Sequence, residues 1–93
     1  MFLMAKYSLI SYKDPKIGSW TVPQPIQGIG DEAIEAFVQN MQRTIKAGKV
    51  SPENDGFECY RVGIFDDDEG KLIPLPQAEH LIDLHHVKIE ETA

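Results

Sequence analysis

Asp66-Asp67-Asp68-Glu69 sets four carboxylates side by side ahead of Gly70, a density of oxygen that would suit calcium or magnesium. An EF-hand loop, however, continues its ligands past the glycine to a bidentate glutamate at position twelve. Gln77 stands there when the count starts at Asp66. The run therefore reads as a solvated turn. His80, His85 and His86 could be joined by Cys59 or Glu79 around a transition metal, but there is no CxxC pair and no HExxH helix. Cys59 as a nucleophile would need a nearby base and an electropositive setting. It lies instead in an apolar run beside Glu58, where a thiol behaves as a small hydrophobe. Gly28-Ile29-Gly30 before a helix suggests a phosphate loop, yet Asp31 and Glu32 occupy the anion position at that helix N-terminus. Neither a Ser-His-Asp set nor a cofactor fingerprint is present. The expectation is a protein that is not an enzyme, with no metal, no cofactor and no small-molecule substrate.

What remains is aromatic and basic: Tyr7, Tyr12, Lys13, Lys16 and Trp20 near the start, Tyr60 with Arg61 further on, and Arg43 with Lys46 at the end of the central helix. Rings that stack on bases, beside cations that meet phosphates, are how single strands are held. Lys13, Lys16, Trp20, Arg43, Lys46 and Arg61 are accordingly the candidate nucleic-acid contacts. The competing reading makes Tyr7, Tyr12 and Trp20 core or interface residues and the lysines solubilising groups. A formal charge of −6 favours the second, because phosphate contact draws on lysine and arginine.

These side chains must be positioned by a few short elements. Lys6–Tyr12 is aromatic and apolar enough for a strand, closed by Asp14-Pro15. Ser19–Ile26 has strand-like residues but carries Pro23 and Pro25, which restricts it to an edge strand or extended loop. Ile34, Phe37, Val38, Met41 and Ile45 follow helical spacing within Asp31–Ala47, with acids first, bases last and Gly48 as the stop. Their burial is expected to dominate stability. Residues 57–75 spell a hairpin, with strands at about Phe57–Phe65 and Lys71–Leu75 around the acidic turn. Pro74 and Pro76 suggest that its second strand lies at an edge. Ala78, Leu81 and Ile82 then suggest a short turn of helix, and His85, Val87 and Ile89 a strand.

The expected class is α+β: a small, mostly antiparallel sheet of three to five strands packed against one main helix at about residues 31–47. Ninety-three residues suit a single domain over 1–93, frayed at about 1–5 and 90–93, with enough wet surface to make a homodimer the expected state. One cysteine allows no internal disulfide, and the apolar run Met1–Ala5 is far short of a signal core or membrane span. A reducing cytoplasm and no membrane partner are expected.

Several segments fall in a telling order. Tyr12-Lys13-Asp14-Pro15-Lys16 ends the first strand, Pro23 and Pro25 follow, and Gly30-Asp31-Glu32-Ala33-Ile34 leads to Phe37. Next come Ser51-Pro52-Glu53-Asn54-Asp55 and Tyr60-Arg61-Val62-Gly63-Ile64-Phe65-Asp66-Asp67, with Gly70-Lys71 closing the turn. From about residue 6 to residue 82 this order resembles the small nonstructural protein of gokushovirus-type microviruses, which are single-stranded DNA phages. Ala47-Gly48-Lys49-Val50 departs from the family's Asn-Asp-Pro after the helix, and the His-rich tail looks like an extension. The resemblance implies a non-virion phage protein in the host cytoplasm, acting in single-stranded genome synthesis or packaging. Its implied partners are single-stranded DNA or phage replication and assembly proteins, and it brings no active-site residues. The alternative is an acidic adaptor that binds a phage or host protein and touches no nucleic acid.

Overall fold

In the computed structural model, which describes residues 6–88, β1 (Lys6–Asp14) runs through the middle of a five-stranded antiparallel sheet. One edge of β1 is covered by two short strands in succession, β2 (Ser19–Trp20) and β3 (Gln24–Gln27). Proline at position 25 is tolerated there because, among the described residues, β3 has no strand on its other side. Ser8 and Ser11 are fully buried polar residues, and each donates its hydroxyl to this edge segment: Ser8 to the Gly28 carbonyl and Ser11 to the Thr21 carbonyl, both at 2.7 Å.

The helix α1 spans Asp31–Lys46, within one residue of the spacing-based expectation. Asp31 and Glu32 lie at its positive end and Arg43 and Lys46 at its negative end, so the macrodipole is complemented at both. After a 3-10 turn at Pro52–Asn54, β4 (Glu58–Asp66) pairs with nearly all of β1, from Lys13↔Glu58 to Lys6↔Asp66. The acidic turn is built as its composition requires. Asp66 Oδ1 accepts the backbone N–H groups of Asp68 and Glu69, and Gly70 adopts φ +64°.

The last strand corrects the expectation for the tail. β5 runs from Lys71 to Asp83 as one edge strand, so Ala78–Ile82 is extended and not a turn of helix. The helical spacing of Ala78, Leu81 and Ile82 arises from two irregularities in the β4–β5 ladder, opposite Cys59/Tyr60 and Arg61/Gly63, which break the period of two. Residues 84–88 form no strand either, while Ile89 and the expected frayed ends fall outside the described residues. Instead Leu84 exchanges backbone hydrogen bonds with Gly56 and Phe57, and His86 Nδ1 lies 2.7 Å from the Val50 carbonyl oxygen.

Register divides the sheet into two faces. Ser8, Ile10, Tyr12, Cys59, Arg61 and Ile82 point inward, toward α1. Among the described residues the buried apolar ones are Ile10, Val50, Cys59 and Leu84, so the deepest packing belongs to the sheet centre and the docked tail. The stripe on α1 expected to dominate the core, namely Ile34, Phe37, Val38, Met41 and Ile45, is only half-buried, and no residue of the helix is fully buried. One short amphipathic helix lies over that face, and among the described residues nothing closes the helix from the solvent side.

Candidate functional site

The other face of the sheet, turned away from α1, carries no covering element among the described residues. Alternation from Tyr7 through Leu9, Ser11 and Lys13 on β1 fixes which residues stand on it. Their cross-strand partners are Phe65, Gly63, Tyr60 and Glu58 on β4, followed by Leu72, Pro74, His80 and Asp83 on β5. Pro25 and Trp20 extend the same face beyond β1, opposite Leu9 and Lys13.

This outer face has two halves. Near the acidic turn it is apolar: Tyr7 packs on Phe65 at 6.4 Å between ring centroids, and Leu72 is 67% exposed. A hollow of ≈ 290 Å³ lies between Leu9, Val62, Gly63, Leu72, Ile73 and Pro74. Gly63 is required at its floor, because a Cβ there would stand 2.9 Å from the Ile73 carbonyl oxygen. At the opposite end the face is aromatic and polar. Trp20 lies 5.1 Å from Tyr60, and His80 meets Tyr60 edge-on at 5.4 Å, while the Lys13 ammonium sits 5.6 Å from the Trp20 ring centroid. Two acids share this end. The Tyr60 hydroxyl donates to Glu58 at 3.0 Å, the chief reason its pKa is raised, and His80 Nε2 lies 2.6 Å from Asp83 Oδ1.

Of the residues expected to contact nucleic acid, the structure brings Lys13 and Trp20 together on the outer face and places Lys16 in the exposed turn beyond them. Arg43 and Lys46 are in the last turn of α1, in the layer on the other side of the sheet. Arg61 points inward. Its guanidinium binds Glu79 Oε2 at 2.6 Å and the Ile29 carbonyl at 3.1 Å, fastening the segment that leads into the helix. The six residues thus do not share one surface. Leu9, Pro25, Leu72 and Pro74 escaped sequence reasoning as members of one surface, and His80 was weighed only as a metal ligand, because their common face is defined only by register.

The groups that looked chemical are occupied or apart. Burial pushes the Cys59 thiol up to about 11, and a hydrogen bond from Tyr12 offsets only part of that, so at neutral pH the sulfur is a protonated core atom. Burial likewise raises Tyr12 to about 12, with smaller contributions from Cys59. His80 lies on the outer face and His86 over the Val50–Asp55 loop. Among the described residues no three His, Cys, Asp or Glu side chains converge as a metal site. A cleft of ≈ 360 Å³ under the C-terminal end of α1 is lined by Tyr12, Met41, Thr44, Val50, Phe57 and Leu84 among others, and Lys49 is its one charged residue. Among the described residues, no helix is long and apolar enough to cross a membrane.

Compared with known proteins, the chain matches no family model, no curated protein and no solved structure.

Proposed function

We propose that this is a non-catalytic protein-binding module that works through the outer face of its sheet. In the single-stranded DNA phage setting suggested by its motif order, it is an adaptor in genome synthesis or packaging, acting in the host cytoplasm. One observation carries the reading. A broad apolar and aromatic sheet face, with Leu72 67% and Trp20 44% exposed, is left uncovered by the described residues. The charges on that face favour protein over phosphate: Glu58 and Asp83 stand in the same cross-strand row as Lys13, on a chain of net charge −6.

Single-stranded DNA is the second reading, and a specific arrangement favours it: the Trp20–Tyr60–His80 aromatic row with Lys13 over Trp20 and Lys16 beyond. Trp20 is the chain's one tryptophan, so its emission reports on that row directly. Titration with oligothymidylate at low salt is expected to leave the emission unchanged. Saturable quenching that weakens steeply with salt would place the DNA reading first. The protein reading is tested by co-purification from infected cells. The wild-type chain is expected to retain a phage or host protein that a Trp20→Asp, Leu72→Glu chain of unchanged thermal stability loses.

A further inference from the structure

We propose that the cleft under the C-terminal end of α1 is a binding site for a small organic monoanion, a carboxylate carried on a short apolar body. The site belongs to the inner layer, so it stands or falls apart from the reading of the outer face.

The cleft is shaped by the way the chain leaves the helix. Gly48, at φ +68°, lets its own N–H and that of Lys49 donate back to the Ile45 and Thr44 carbonyls, which closes α1 and redirects the chain. Val50 follows as a buried residue. Leu84, also buried, is held on the cleft by backbone hydrogen bonds with Gly56 and Phe57, and Met41 and Phe57 complete an apolar lining. The walls are therefore set before any ligand arrives. At ≈ 360 Å³ the space lies near the lower end of small-molecule sites, which limits the occupant to a short body.

Charge and polarity select the occupant. An empty gap left by imperfect packing is lined by apolar groups alone, whereas Lys49, Ser51 and Asn54 also line this one. Among the described residues Lys49 forms no ion pair, and the Ser51 hydroxyl makes no capping bond to the 3-10 turn that it precedes. Neither acid of the neighbouring loop lines the cleft: Glu53 is exposed, and Asp55 accepts the His86 N–H. One cation with neutral polar groups beside an apolar wall matches a single negative charge on an apolar body. A phosphate dianion fits less well, because the lining offers one cation and lies at the negative end of a helix. The head group meets Lys49, Ser51 and Asn54, and the body lies against Met41, Val50, Phe57 and Leu84.

Amide chemical-shift mapping by NMR on the full chain tests this, with octanoate and its uncharged counterpart octanol as probes. Octanoate is expected to shift the Val50, Ser51, Phe57 and Leu84 amides saturably, with a dissociation constant of about 1 mM or below, and octanol to bind about tenfold or more weakly. Lys49→Gln is expected to remove that difference while octanol binding persists, and Lys49→Arg to keep it. The Trp20→Asp, Leu72→Glu chain should bind octanoate as the wild type does, so the cleft and the outer face fail separately. No saturable shift at the cleft overturns the proposal, as does octanol binding as tightly as octanoate, or a Lys49→Gln chain that still prefers the anion. Shifts confined to the outer face, at Tyr7 and Leu72, overturn it too.

Discussion

Cys59 and Tyr12 face each other across β1 and β4, and their environment converts directly into a pH dependence. Both pKa values are raised chiefly by burial, to about 11 and about 12, from 9.0 and 10.0. Each group therefore keeps its proton in the folded chain at pH values where the unfolded chain has lost it. The stabilisation is whole below about pH 9 and is lost as pH rises through the 9-to-11 window of Cys59 and the 10-to-12 window of Tyr12. Melting temperature should fall steadily above about pH 9, and Cys59→Ala should flatten the first part of that fall; an equal slope in the variant would contradict the assignment. Arg61 makes a second prediction at this scale. Its side chain is 14% exposed and bridges Glu79 and the Ile29 carbonyl, so Arg61→Ala should cost about 1–3 kcal/mol in a denaturant melt. Arg61→Lys should recover little of it, because one ammonium cannot span both acceptors in the planar geometry of a guanidinium. Loss of affinity for a ligand with no loss of stability would show that Arg61 serves a contact after all.

Among the elements, the helix and the hairpin were legible because their signals are local. The i, i+3, i+4 stripe with its end charges specified Asp31–Lys46 to within a residue, and the acidic turn before Gly70 specified where β4 gives way to β5. β5 was misread beyond Leu75 because its apolar residues are spaced by ladder irregularities, which leave no trace in composition. The outer face was illegible for a related reason: it joins residues 7, 25, 65 and 72, which become neighbours only once strands are paired in register. Gly63 reports on that register. Gly63→Ala pushes a Cβ to within 2.9 Å of the Ile73 carbonyl and should cost more than Gly70→Ala, whose cost is only the φ +64° conformation in open space, roughly 1–2 kcal/mol. Equal losses in urea melts of the two variants would mean that β4 and β5 can separate at the irregularity without penalty.

For the whole molecule, the decisive asymmetry is that one helix lies over one face of a sheet that is apolar on both. Stability comes mostly from the sheet centre and the docked tail, where Ile10, Cys59, Val50 and Leu84 are buried, and the outer face is left uncovered by the described residues. Hydroxyl-radical labelling of the full chain tests this most directly. Trp20 and Leu72 on the outer face should label at the rates of exposed side chains, while Ile10 in the sheet centre and Leu84 in the docked tail stay protected. Protection of Trp20 and Leu72 equal to that of Ile10 and Leu84 would contradict the account.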